Sequence, residues 1–339
     1  MQPSSSSPGA VSRRSMLAGA AALAGATATA AATAVPAQAM SASASTPTAD
    51  SASASASADV AASADSGRRA RAVEGVAEAR ERLRHALDVQ IVAFPQHGVV
   101  RTPGTAALLE KAAREGLIDM IGGIDPIGFD EALDEQLDVV FGIADRHGVG
   151  VDIHLHDRGE KGMKAMRGIV DRTRALSLAG KVTVSHVFCL PGLSDRELGS
   201  IAADLGEQDI ALTTVSPSDS LVLPIARLRE HGVRVGLGSD GVRDSWSPFG
   251  NADMMHRAHI LGWVTDVRLD EELTGCYDVA AHGGADVMGL AHADFTAGSP
   301  ADFVLVRGEC LPQVVVDTPR RDMVVHGGVV VARDGEFVG

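Results

Sequence analysis

The chain has 339 residues, of which 45% are apolar and 22% charged, which excludes a collagen-like or wholly disordered chain. Its formal net charge of −14 disfavours nucleic acid as a partner, because phosphate backbones attract basic surfaces. Three cysteines, far apart in the sequence, exclude a disulfide framework and a cysteine-rich zinc site.

The first 39 residues have the pattern of an export signal. Arg13 and Arg14 precede a weakly apolar, alanine-rich run from Leu17 to Val35, and Ala37-Gln38-Ala39 is typical of a signal-peptidase site. We therefore expect a twin-arginine-type signal over residues 1–39 and an exported, extracytoplasmic protein. A membrane anchor is the alternative. It is disfavoured because the run holds little leucine or isoleucine, so no stable membrane anchor is expected.

Residues 40–72 are expected to form a disordered linker. Most of them are serine, alanine, threonine and aspartate, with a strict Ser-Ala alternation from Ser51 to Ala58. From residue 73 on, short apolar runs alternate with longer amphipathic ones. Strands are predicted over residues 89–94, 118–124, 149–154, 181–186, 209–214 and 233–239. Helices are predicted over residues 73–87, 105–115, 130–147, 162–179, 221–231, 252–264 and 271–290, and after a capping box at Ser194–Glu197.

Strict alternation of strands and helices predicts parallel strands joined by right-handed crossovers. Such an α/β chain forms either an open doubly wound sheet or a barrel. No glycine-rich phosphate loop follows any predicted strand, which favours the barrel. In barrels of this kind the chemistry lies at the carboxyl ends of the strands.

Potential metal ligands occur at those strand ends. His154 and His156 lie at the end of the third predicted strand, His186 ends the fourth, and Asp240 follows the sixth. Imidazole and carboxylate ligands suit zinc or Fe(II), and a bound metal lowers the pKa of water to about 7. Each residue alone also fits a purely structural role. A histidine at a strand end can form a hydrogen bond within a loop, and Gly238–Gly241 can form a turn. Their joint placement favours a metal site.

In these residues the sequence resembles the amidohydrolase superfamily and, within it, the cytosine deaminase-like branch. The supporting stretches are Gln90–Gln96, Val151–His154, Val182–His186, Gly238–Asp240 with Asp244–Pro248, and Pro300–Val306. The resemblance implies a (β/α)8-type TIM barrel over residues 73–298, followed by C-terminal β-sandwich strands over residues 299–339. It also implies one divalent metal, zinc or Fe(II), and a small-molecule substrate. The implied reaction is hydrolysis of a C–N bond other than a peptide bond, most directly deamination of cytosine or a related cyclic amidine.

The resemblance also implies roles for individual residues at matching positions. His154 is a metal ligand, His186 orients the hydroxide or approaches the metal, and Asp240 is both ligand and base. The remaining implied roles are proton transfer by Asp157, recognition of the pyrimidine amide edge by Gln96, and a pocket wall at Trp246.

The sequence departs from the family pattern in three ways. The H-x-H pair of the first barrel strand is absent, so the barrel is expected to be incomplete, with about six strand–helix units. Asp157 stands where the family has glutamate, and Gly241 where cytosine deaminases have a second aspartate. His156 shares a strand face with His154 and is a candidate substitute ligand. Open sheet edges make a homo-oligomer a further expectation.

These departures leave two alternatives to an active hydrolase. One is a catalytically inactive, truncated amidohydrolase relative, and the other is an exported, non-catalytic binding protein. The binding protein fits the leader and linker but gives no reason for metal ligands at the strand ends.

Overall fold

The computed structural model describes residues 20–24, 32–33, 53–59, 66–244 and 248–339. The strands are β1 (Ala20–Ala24), β2 (Ala32–Thr33), β3 (Ser53–Asp59), β4 (Asp88–Phe94), β5 (Met120–Ile124), β6 (Gly150–Leu155), β7 (Val182–His186), β8 (Ala211–Thr214), β9 (Val235–Leu237), β10 (Phe303–Arg307), β11 (Arg321–His326), β12 (Val329–Arg333) and β13 (Glu336–Phe337). The helices are α1 (Ser66–Leu83), α2 (Thr105–Arg114), α3 (Leu133–His147), α4 (Gly159–Ala175), α5 (Asp195–Glu207), α6 (Ile225–Glu230), α7 (Met254–Val264), α8 (Asp270–Ala280), α9 (His282–Met288) and α10 (Leu311–Asp317). No helix in these ranges is long and apolar enough to cross a bilayer.

The strands form two sheets. Strands β2 to β9 are parallel and lie side by side in chain order, with helices in the connections from β4 on. The six strands β4 to β9 form a half-barrel, and each begins and ends within two residues of its predicted bounds. This confirms the incomplete TIM barrel. The second sheet is antiparallel, in the order β1-β10-β11-β12-β13, and contains the predicted C-terminal strands.

Some residues of the predicted leader and linker have regular structure. Strand β3 lies within residues 40–72 and pairs with β4 from Ser53↔Asp88 to Asp59↔Phe94. An alternating Ser-Ala sequence has the two-residue period of a strand, which is compatible with its position between β2 and β4. Helix α1 begins at Ser66, also inside the predicted linker. The rest of both segments lies outside the described residues, and the division into signal, linker and barrel stays a prediction.

The aliphatic core lies between the parallel sheet and its helices. All five residues of β5 and of β7 are buried, as expected for strands covered on both faces. The predicted stripe of α3 faces this core through Leu137, Val140, Phe141 and Ala144, and the helix ends at Gly148 in the left-handed conformation. Burial of this stripe packs α3 against the parallel sheet.

The structure corrects the predictions for several helices. Helix α1 ends at Leu83 and not at residue 87, and α4 spans Gly159–Ala175 and not residues 162–179. The helix expected over residues 271–290 is broken at Ala281 into α8 and α9. The break lets α9 approach β9 closely: a Cβ atom at Gly236 would lie 2.8 Å from the carbonyl oxygen of Gly283, so this contact requires glycine. The helix expected from residue 221 begins at Ile225, because Pro224 precedes it and lacks an N–H group.

The capping box predicted for α5 is present. The side chain of Ser194 accepts the backbone N–H of Glu197, and the Glu197 carboxylate accepts the backbone N–H of Ser194 at 3.0 Å. We expect Ser194→Ala to lower the free energy of unfolding by about 1 kcal/mol, because it leaves a helix N–H without a partner. Urea denaturation followed by circular dichroism measures this. The matched control is Ser200→Ala, an exposed serine inside α5, which should be neutral or slightly stabilising. Equal losses in the two variants would contradict the assignment.

Candidate active site

Three histidines meet at the carboxyl ends of β6 and β7. His154 and His156 lie two residues apart at the end of β6, and His186 is the last residue of β7. His154 Nδ1 lies 3.2 Å from His186 Nε2, and the rings of His156 and His186 have centroids 4.2 Å apart. Each ring offers one nitrogen to a group of atoms within 4.8 Å of one another. The sequence predicted that His154, His186 and Asp240 converge, with His156 as a substitute ligand; the group found here contains the three histidines and not Asp240.

The two buried histidines are held in the neutral form. Burial lowers the pKa of His154 to about 3, and burial together with His154 lowers that of His186 well below its usual value. Neutral imidazole is the form that binds metal. His154 Nε2 and His186 Nδ1 are buried without a hydrogen-bond partner among the described residues. Because unpartnered buried nitrogens are costly, a divalent cation ligated by this cluster fits the donor set.

Asp125, directly after β5, holds His156 in place. Its Oδ2 lies 2.8 Å from His156 Nδ1, and its Oδ1 accepts the backbone N–H groups of His156 at 2.5 Å and of Asp157 at 2.9 Å. A carboxylate only accepts, so Nδ1 carries the proton and His156 Nε2 is left with a lone pair for a metal. The same contacts lower the pKa of Asp125 against the opposing effect of burial. Sequence reasoning missed Asp125, although it follows a predicted strand directly.

The two carboxylates with predicted proton-transfer roles border the cluster. Asp240 follows β9 in the left-handed conformation, with φ of 59°, and burial raises its pKa while the imidazole of His156 opposes the rise. Asp157 Oδ2 accepts the N–H of Gly128 at 2.7 Å, and burial raises the pKa of Asp157 also. A Cβ atom at residue 128 would overlap this carboxylate, so the close approach requires glycine. Both groups are thereby closer to exchanging protons near neutral pH than exposed aspartates are.

A chain of polar side chains lies beneath the cluster. Asp152 is two residues before His154 and therefore on the same face of β6. Its Oδ1 accepts the hydroxyl of Ser185 at 2.9 Å, and the Ser185 oxygen accepts the hydroxyl of Thr213 at 2.7 Å. Burial raises the pKa of Asp152 to about 7. The chain links β6, β7 and β8 on the side of the sheet that carries the histidines.

Gln96 makes no hydrogen bond or ring contact with the cluster among the described residues. It is half-buried in the loop after β4, two residues beyond the strand end. Trp246 lies outside the described residues. Aromatic neighbours do flank the cluster: the Phe94 ring centroid is 4.4 Å from that of His154, and Phe188 lies 5.5 Å from His186. The roles assigned to all these site residues stay predictions.

Comparison with known proteins identifies the family. The family model described as "Amidohydrolase family" matches residues 9–332 of the chain. The chain belongs to the amidohydrolase family. By this resemblance it is an enzyme that hydrolyses C–N bonds, and the family typically uses a divalent metal.

The relatives include both aminohydrolases and deaminases. N-isopropylammelide isopropyl amidohydrolase of Pseudomonas sp. (strain ADP) is 29% identical over 275 residues, which are 81% of this chain and 68% of the relative. The crystal structure of N-isopropylammelide isopropylaminohydrolase from Burkholderia multivorans has a TM-score of 0.81 at 39% identity, covering 86% of this chain and 73% of that one. The 5-methylcytosine deaminase of Klebsiella pneumoniae, liganded with phosphonocytosine, matches with a TM-score of 0.71 at 20% identity, covering 83% and 70%. This last likeness shows the fold alone.

The contact between Asp125 and His156 predicts how a substitution affects metal binding. In Asp125→Asn the amide oxygen can still accept the two backbone N–H groups, but the NH₂ group would face His156 Nδ1. That arrangement moves the ring proton to Nε2, so we expect zinc affinity to fall about 10- to 100-fold. Competition with a chromogenic chelator measures the dissociation constant.

The matched control is Asp119→Asn. Asp119 also accepts a backbone N–H, from Ile91 at 2.7 Å, but it lies just before β5, at the opposite end of that strand from Asp125. We expect its zinc affinity to equal that of the wild type. Unchanged affinity in Asp125→Asn would contradict the role given to Asp125.

Proposed function

We propose that the chain hydrolyses the exocyclic C–N bond of a small nitrogen heterocycle of the cytosine or ammelide kind, releasing ammonia or an alkylamine. The observation that carries this proposal is the buried histidine cluster at the carboxyl ends of β6 and β7, bordered by Asp157 and Asp240. Support comes from the 39% identical structure, whose name describes removal of an isopropylamino group from N-isopropylammelide.

The residues divide into those that hold a metal and those that move protons. His154, His156, His186 and Asp240 would hold one zinc or Fe(II) ion, which supplies an activated water near neutral pH. The water oxygen adds to the ring carbon that bears the amine, and the C–N bond then breaks. Asp240 accepts a proton from the water, and Asp157 delivers a proton to the leaving nitrogen, so that the amine leaves neutral. Gln96 and Trp246 are proposed to contact the ring.

A specific observation favours a second candidate, a catalytically inactive relative or binding protein. Strands β2 and β3, which precede β4 in the parallel sheet, have the sequences AT and SASASAD and contain no histidine. These strands therefore do not supply the H-x-H pair that the family resemblance leads one to expect on the first barrel strand. A bound metal would therefore have to be held by three histidines and one carboxylate.

The proposed activity requires a bound metal. We expect the purified chain to contain about one zinc or iron per molecule by elemental mass spectrometry, and His154→Ala to contain much less. The control is His85→Ala, which removes an exposed histidine far from the cluster and should leave the metal content unchanged. The metal-loaded chain should release isopropylamine from N-isopropylammelide or ammonia from cytosine. A chain that stays metal-free after incubation with zinc or Fe(II) would favour the second candidate.

We also propose that the chain is exported by a twin-arginine-type signal, on the strength of Arg13, Arg14 and the Ala37-Gln38-Ala39 site. Replacing both arginines by lysine should retain the chain in the cytoplasmic fraction, whereas the unaltered chain should be found outside it. Equal cellular distributions of the two chains would contradict export by this route.

A further inference from the structure

Arg257 lies at the carboxyl edge of the half-barrel, beside the candidate active site. It belongs to the first turn of α7, whose N-cap is Asp253. Its Nη2 donates a hydrogen bond to the carbonyl oxygen of Val215, the residue directly after β8. Strand β8 pairs with β9, and Asp240 follows β9. The guanidinium is therefore held at the strand ends where the metal ligands gather.

This guanidinium has an incomplete set of partners. Arg257 Nε is buried without a hydrogen-bond partner among the described residues. Burial lowers the pKa of Arg257, and the negative charge of Asp240 opposes that effect. A buried N–H donor without an acceptor is unfavourable unless another molecule supplies one. An acceptor atom of a bound substrate would supply the hydrogen-bond partner that Arg257 lacks.

We propose that Arg257 is a specificity-determining residue that donates a hydrogen bond to an oxo or enolate oxygen on the substrate ring. This inference rests on the proposed function and deepens it, since it names a substituent that the ring carries besides the leaving amine. The residues proposed to carry out hydrolysis remain the three histidines, Asp157 and Asp240.

The chemistry of the guanidinium selects oxygen over nitrogen at that ring position. Arginine has five N–H donors and no acceptor, and it keeps its charge throughout the ordinary pH range. A ring oxygen accepts its hydrogen bond, more strongly when the ring is anionic. A ring amino group is a donor and would confront another donor, leaving both groups desolvated and unpaired. Oxo-substituted rings should therefore bind better than their amino analogues.

The test uses two rings of identical skeleton. The full chain, loaded with zinc, is titrated calorimetrically with cyanuric acid, which carries three oxo groups, and with melamine, which carries three amino groups. We expect wild type to prefer cyanuric acid, and Arg257→Met to lose roughly tenfold or more of that affinity while its weak affinity for melamine is unchanged. Arg257→Lys keeps the positive charge but lacks the planar guanidinium. Its affinity for cyanuric acid should lie between those of the wild type and Arg257→Met. The matched control is Arg196→Met, on the exposed surface of α5, which should bind as wild type does.

Several outcomes would overturn the inference. The inference is wrong if Arg257→Met binds cyanuric acid as tightly as the wild-type protein does. It is also wrong if the wild-type protein prefers melamine or binds neither ring. An equal loss for both rings, accompanied by a lower melting temperature or loss of zinc, would show that Arg257 only fastens the loop after β8. Failure of the proposed function has a different signature: arginine-dependent binding of cyanuric acid together with no release of amine from any ring.

Discussion

The geometry of the candidate site depends on the carboxylate of Asp125. It joins the end of β5 to the end of β6 through two backbone N–H groups and one imidazole nitrogen. The backbone of Asp125 reinforces this link, because its N–H donates to the carbonyl oxygen of His154 at 3.0 Å. A loop that leaves a strand end is otherwise free to turn in several directions. Here the carboxylate of Asp125 fixes the course of the chain through residue 157 and the orientation of the His156 ring.

Backbone conformation accounts for the rest of the arrangement. His186, Val187, Ser216 and Asp240 all have positive φ, although none is glycine. Each such residue costs of order 1–3 kcal/mol and persists only when its surroundings determine it. All four lie at or just beyond the carboxyl ends of β7, β8 and β9. The half-barrel thus places residues with positive φ at its strand ends, among them His186 and Asp240.

Much of the fold could be predicted because it follows from periodicity. Apolar runs located β4 to β9, the stripe of α3 located its buried face, and the Ser194–Glu197 pair located the start of α5. The pairing of His154 with His156 could also be predicted, since residues two apart share a strand face. The role of Asp125 could not, because it depends on contacts with a segment about 30 residues later in the chain. Arg257 was hidden for a similar reason: in the sequence it is one of several polar residues of an ordinary helix, and only packing shows that its Nε is buried and its Nη2 contacts the loop after β8.

The antiparallel sheet has a consequence for how this site can vary. Arg321, the first residue of β11, is buried and forms an ion pair with Asp253, the N-cap residue of α7. The helix that carries Arg257 is therefore fastened at its start by a strand 68 positions further along the chain. The C-terminal strands are consequently not an appendage that could be exchanged without effect. On the role proposed for Arg257, substitutions near the end of the chain could therefore alter the choice of substrate without replacing any of the proposed metal ligands.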